Sequence, residues 1–179
     1  MKETTESPRS KALIVMGVSG CGKSTVAELL AQRLRCEMVE GDRLHPQANV
    51  DKMRRGVALD DADREPWLDL IGAQLKAWAA EGRSGVITCS ALKHSYRARM
   101  LAARSDLVFV YLKGSEALIR SRVQARHHEY MPATLLHSQF DTLEEPTVDE
   151  PVLTVDAGES PDVETQAIIQ ALSLTVAPA

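Results

Sequence analysis

Residues 17–24 read Gly17-Val18-Ser19-Gly20-Cys21-Gly22-Lys23-Ser24, an instance of the pattern GxxxxGK[ST]. Each fixed position has a mechanical reason. Glycines let the backbone curl through positive φ, so that successive N–H groups converge on phosphate oxygens. A helix starting near Gly22 adds its free N-terminal N–H groups and its dipole. Lys23 brings a cation to the β- and γ-phosphates, and the Ser24 hydroxyl can ligate magnesium. The flanks supply the required context. The apolar run Ala12–Met16 (ALIVM) reads as a buried strand, and Val26, Leu29, Leu30 and Leu34 follow at helical spacing.

Working outward, Cys36–Glu40 reads as a second strand ending at Gly41-Asp42, and His45-Pro46 opens a helix. Residues 56–66 read as acidic and irregular, with helical spacing resuming over Trp67–Glu81 and stopping at Gly82. Gly85–Cys89 and Leu107–Leu112 read as buried strands joined by a basic helix over His94–Ala103. Helices follow at Glu116–Arg126 and Pro132–Thr142, then a strand at Val152–Val155 and a helix at Val163–Leu172. Strands alternating with helices imply βαβ units and a parallel sheet covered on both faces. At 179 residues the chain suits one α/β domain over 11–179, preceded by a polar tail over 1–10.

Composition narrows the partners. The net charge of −4 argues against a nucleic-acid-binding protein, so any basic site is local and suited to a small anion. The cysteines at 21, 36 and 89 form no CxxC pair, which reads as a reduced, cytoplasmic protein. The first ten residues hold no apolar signal core, and no apolar run reaches the ~20 residues of a membrane span.

A phosphate loop leaves kinases, switch GTPases and motor ATPases open. In this architecture the chemistry sits at the carboxyl ends of strands. Asp42 stands at such an end, where a carboxylate accepts a proton from a substrate hydroxyl or helps order magnesium; a turn-forming Asp after Gly is the plainer alternative. The third strand ends in Thr88-Cys89-Ser90, without the Asp of a Walker-B strand, and no Asn-Lys-x-Asp string for guanine occurs. Both facts disfavour motors and switches. Arg122 and Arg126 share one helical face and are placed to clamp a triphosphate, with a solvated basic face as the alternative. His127 and His128 point in different directions on a helix and make a poor zinc site. Cys21, at a helix N-terminus, is either a small loop residue or a thiol of lowered pKa open to oxidation.

The stretches MGVSGCGKST, GDRLHPQANVDKM, LDDADREPWL, CSALKHSYR, VFVYLKGS and LLHSQFDTLEEP together resemble the gluconokinases of the P-loop, shikimate-kinase-like type. The resemblance runs from Met16 to Pro146. It implies ATP-dependent phosphorylation of D-gluconate at its 6-hydroxyl. It also implies a three-layer P-loop kinase fold with a five-stranded parallel sheet, a mobile lid near 122–132, and a homodimer. By matching position, the nucleotide contacts are Gly17, Ser19, Gly20, Cys21, Gly22, Lys23, Ser24 and Thr25, with Ser24 also on magnesium. Lys23, Asp42, Arg122 and Arg126 are the catalytic candidates. His45, Lys52, Arg64, Trp67, Lys93 and Arg97 fall, with Asp42, in the motifs lining the gluconate side. The chain departs from the family at Gly56-Val57-Ala58-Leu59, where Gly-x-Pro-Leu is common, and at Glu129-Tyr130, where His-Phe is common before Met-Pro.

From the residues alone a kinase for shikimate or another hydroxy acid, or a nucleotide-binding regulatory module, fits the same loop.

Overall fold

The computed structural model describes residues 11–125 and 133–176. Its centre is β1 (Ala12–Met16), all five residues of which are buried. Alternate side chains of this strand enter two different cores, as the two-residue period of a strand requires. Leu13 and Val15 pack with Val26 and Leu30, Ile119 and Ile168. Ala12, Ile14 and Met16 pack on the other side with Trp67, Ile71, Trp78 and Met100. An uninterrupted apolar run is what a strand covered on both faces demands.

The remaining strands are β2 (Glu37–Glu40), β3 (Gly85–Thr88), β4 (Val108–Lys113) and β5 (Val152–Asp156). All pairings are parallel and the order is β2-β3-β1-β4-β5. The register sets Val15 beside Thr88 and Val110, and Glu40 beside Thr88, so the strands finish together along one edge. One face carries α1 (Lys23–Leu34), α5 (Glu116–Ala125), α6 (Ala133–Thr142) and α7 (Pro161–Ala171); the other carries α3 (Asp61–Ala80) and α4 (His94–Ala103). A short α2 (Gln47–Arg54) follows a 3₁₀ turn at Gly41–Leu44. These are the layers and the five-stranded parallel sheet that the sequence implies.

One expectation is corrected. The acidic stretch before Trp67 is not irregular up to residue 66: α3 begins at Asp61. Asp60 accepts from the Asp63 N–H at 2.8 Å and Asp63 accepts from the Asp60 N–H at 3.1 Å, a reciprocal cap. Asp61 and Asp63 also lie in the first turn, where the helix dipole favours negative charge. Pro66 sits inside this helix and gives up only one backbone bond, in the second turn. Residues 126–132 of the lid expected over 122–132, and the tail expected over 1–10, lie outside the described residues.

Candidate active site

The carboxyl ends of the strands open on a cavity of about 660 Å³. One wall is the phosphate loop. Gly17, Gly20 and Gly22 adopt φ of 134°, 84° and 105°, the left-handed conformations the motif predicts. Ser19, Gly20, Gly22, Lys23, Ser24 and Thr25 line the cavity. Gly17 and Cys21 do not. The Gly17 N–H donates to the Ser90 carbonyl at 3.3 Å and the Cys21 N–H to the Val18 carbonyl at 3.3 Å, so these two shape the loop from behind. The Lys23 Nζ donates to the carbonyls of Gly17 and Val18, both at 3.1 Å, which folds its ammonium back along the loop. The Arg122 guanidinium reaches the Cys21 carbonyl at 3.5 Å, placing α5 against the same loop; Arg126 falls outside the described residues.

The thiol of Cys21 is buried in the core, and burial pushes its pKa up despite the nearby Lys23. Desolvation outweighs the helix-terminus effect, so the structure removes the basis for a reactive thiol there.

Opposite the loop stand Asp42, His45, Arg64 and Trp67, all lining the cavity. The 3₁₀ turn presents Asp42, and the His45 ring stacks on Trp67 with centroids 4.2 Å apart and planes 15° from parallel. Asn49 Nδ2 lies 3.3 Å from His45 Nδ1 and is otherwise a donor to the Asp63 carbonyl at 2.6 Å. An amide N–H facing Nδ1 requires that nitrogen to accept, which leaves the proton on Nε2. Burial, reinforced by Arg64, lowers the His45 pKa to about 4, so the ring is neutral at physiological pH. Arg64 donates to the Tyr96 hydroxyl at 3.2 Å, which holds its guanidinium beside the cavity.

Three residues expected on the substrate side are not brought to the cavity. Lys52 donates to both oxygens of Asp63, at 2.6 and 2.8 Å. Lys93 donates to both oxygens of Asp61, at 2.7 and 2.9 Å, and these bonds hold the Asp61 carboxyl below its usual range. Arg97 departs furthest from expectation. Its side chain is 0% exposed, and its Nε and Nη2 donate to the two oxygens of Glu150 at 2.5 and 3.0 Å. Its Nη1 donates to the carbonyls of Ala91 at 3.0 Å and Leu92 at 3.3 Å. Ala91 has φ of 45°, a conformation that costs a non-glycine residue ~1–3 kcal/mol. Arg97 is therefore a strut that holds the strained turn after β3, next to the cavity-lining Ser90.

Sequence reasoning also missed residues. Arg43 and Gln139 line the cavity, and the Gln139 Oε1 accepts from the Ser19 N–H of the loop at 2.7 Å. Both lie in the stretches that carried the resemblance, so their position was signalled although their role was not. Among the described residues no cluster of three or more His, Cys, Asp or Glu side chains is set to hold a metal ion. A cation here would depend on Ser24 and on phosphate oxygens.

A family model described as an AAA domain matches residues 13–146. The gluconokinase of Gluconobacter oxydans (strain 621H) is 46% identical over 168 residues, 94% of this chain and 94% of the relative. The chain belongs to the gluconokinase family. The thermoresistant gluconokinase of Escherichia coli (strain K12) is 42% identical over 144 residues, 80% of this chain and 82% of the relative. Among solved structures, a gluconokinase from Sinorhizobium meliloti 1021 superposes with a TM-score of 0.84 at 37% identity, covering 93% of this chain and 94% of the other. The phosphate loop, the Asp42 turn and the α3 N-terminus all fall inside the residues 13–146 that the family model matches.

Proposed function

We propose that the chain transfers the γ-phosphoryl group of ATP to the 6-hydroxyl of D-gluconate, giving 6-phospho-D-gluconate. The observation that carries this reading is that a phosphate loop and a wall of Asp42, His45, Arg64 and Trp67 face each other across one cavity. A sugar acid has one carboxylate and a row of hydroxyls, so it calls for a cation, neutral donors and a carboxylate acceptor. Arg64 supplies the cation, the Nε2–H of neutral His45 a donor, and Asp42 the acceptor.

In this reading Asp42 accepts the proton of the attacking hydroxyl as the oxygen closes on the γ-phosphorus. Lys23 leaves the carbonyls of Gly17 and Val18 for the phosphate oxygens and neutralises charge as it develops. Arg122, already against the loop, and Arg126 complete the clamp. Ser24 would hold magnesium, which when bound neutralises the β- and γ-phosphates. The single domain over 11–179, the lid over 122–132, the homodimer and the cytoplasmic location are proposals that rest on the family resemblance, with the cysteine pattern adding to the last.

The test is ADP release measured with gluconate, with shikimate and with no acceptor. ADP formation that requires gluconate and yields a phosphomonoester supports the reading. Equal release without acceptor, or a preference for shikimate, refutes it.

A further inference from the structure

The third strand reads in sequence as a strand that merely lacks a terminal carboxylate. The structure gives its last residue a positive task. Thr88 pairs in register with Glu40, and both are followed by turns that enter the cavity. The Thr88 Oγ1 accepts from the Gly41 N–H at 3.1 Å and donates to the Glu40 carboxylate. A hydroxyl rotor is free to point its hydrogen anywhere. Here the carboxylate draws that hydrogen to itself and leaves a lone pair aimed at the Gly41 N–H.

The next peptide unit, on the other side of the Gly41 Cα, is held as well. The Trp67 indole N–H donates to the Gly41 carbonyl at 2.8 Å. Thr88 and Trp67 are each 1% exposed and Gly41 is buried, so water does not compete for either bond. There is no slack in the third direction. A Cβ on Gly41 would lie 1.9 Å from the Thr88 carbonyl oxygen, which no side chain tolerates. The residue immediately before Asp42 is thus fixed through its donor, its acceptor and its lack of a side chain. Asp42 itself is exposed at the cavity wall, and the His45 N–H donates to its carbonyl at 3.3 Å.

We infer that Thr88, oriented by Glu40, and Trp67 are positioning residues that fix the Asp42 carboxylate by clamping the two peptide units that flank Gly41. This rests on Asp42 being the acceptor in the reaction proposed above. A general base works only within hydrogen-bond reach of its proton, and a displacement of ~1 Å costs as much as a hundredfold in rate. Neither Thr88 nor Glu40 need touch the substrate for this to matter.

The experiment combines Thr88→Val, Thr88→Ser, Asp42→Asn and the Thr88→Val/Asp42→Asn double variant, with amide exchange at Gly41 followed by NMR. Thr88→Val should lower kcat by about ten- to a hundredfold, while the Kd for a non-hydrolysable ATP analogue moves by less than about twofold. Thr88→Ser, which keeps the hydroxyl, should recover most of kcat. In the double variant the Thr88 change should add less than about twofold to the Asp42→Asn loss, because the clamp acts through the group already removed. Gly41 should be strongly protected in the native protein and in Thr88→Ser, and exposed in Thr88→Val.

Multiplying losses in the double variant, or a normal kcat in Thr88→Val, overturns the inference. So does an unprotected Gly41 amide in the native protein, which needs no variant and decides the matter if Thr88→Val fails to fold. Absence of gluconate-dependent ADP release in the native enzyme would instead sink the substrate reading, and the clamp is then judged by Gly41 exchange alone.

Discussion

Replacing Glu150 by Gln tests whether Arg97 is a strut or a substrate ligand. Glu150 is 4% exposed in its side chain and accepts two bonds from Arg97, as well as one from the Thr147 N–H at 3.0 Å. These bonds, Arg97 first, lower its pKa from 4.5 to about 2. One unit of pKa corresponds to about 1.4 kcal/mol, so ionised Glu150 contributes about 3 kcal/mol to the fold at neutral pH. That figure agrees with the ~3–5 kcal/mol expected when one partner of a buried ion pair is removed and the other stays charged. In a chain of 179 residues it corresponds to a fall in Tm of about 6–12 °C.

The pH dependence follows from the direction of the shift. A carboxyl with a depressed folded pKa contributes stability that is present above the unfolded value of 4.5 and is lost as pH falls through about 2. Urea unfolding of the native protein and Glu150→Gln, followed by far-UV circular dichroism, should therefore show a gap of about 3 kcal/mol at pH 7 that shrinks to about half by pH 3. A gap below about 1 kcal/mol at pH 7, or one unchanged down to pH 3, refutes the reasoning. So does a variant of normal Tm whose only defect is a raised KM for gluconate, for that is what releasing a substrate-binding Arg97 would produce.

Three further outcomes follow from the site. Lys23→Ala should lose at least ~10³-fold in kcat while keeping the native circular-dichroism spectrum and unfolding midpoint, and near-native turnover at saturating ATP would remove Lys23 from the chemistry. The His45 imidazole should titrate near 4 by NMR, well below the ordinary 6.5, and a midpoint at or above 6 would show that the stacked, Arg64-facing ring is not desolvated as described. Because it stays neutral in the fold while the unfolded chain protonates, His45 should also make the protein less stable as pH drops from 6.5 towards 4. Mild peroxide should leave turnover unchanged and Cys21 unmodified by mass spectrometry, with any early thiol reaction falling on half-buried Cys36.

The loop and the layers were legible because both are written locally. A glycine pattern needs only eight consecutive residues, and the two-sided burial of β1 needs only five. The start of α3 was signalled too, by Asp60 and Asp63 three apart, but Pro66 argued for a break and hid it. The placement of the charged candidates was hidden for a different reason. Lys52, Lys93 and Arg97 stand in the right motifs, yet their partners Asp63, Asp61 and Glu150 lie 11, 32 and 53 residues away. Whether a cation faces a ligand or a carboxylate is decided by that long-range pairing, which no local pattern records. Cys21 shows the same limit for a thiol, since burial outweighs the helix terminus.

Pairing also sharpens what the cavity selects. With Lys52 and Lys93 tied to Asp63 and Asp61 and Arg97 tied to Glu150, Arg43 and Arg64 bring positive charge to the wall facing the loop among the described residues, and His45 adds none at neutral pH. Arg64 is in turn set by Tyr96, whose hydroxyl donates to Asp61, so Asp61 orients the cation through two bonds without neutralising it directly. In the proposed reading, a carboxylate-bearing polyol would meet such a wall with its anion on a guanidinium and its hydroxyls on the His45 donor and Asp42 acceptor. A neutral sugar of the same length would offer the guanidinium hydroxyls alone, losing the bidentate pairing with a carboxylate and leaving the cation without a counter-charge. In that reading, discrimination between the two would follow in part from the pairing of Lys52 and Lys93 with Asp63 and Asp61 of LDDADREPWL, a motif that would then act by subtraction as well as by contact.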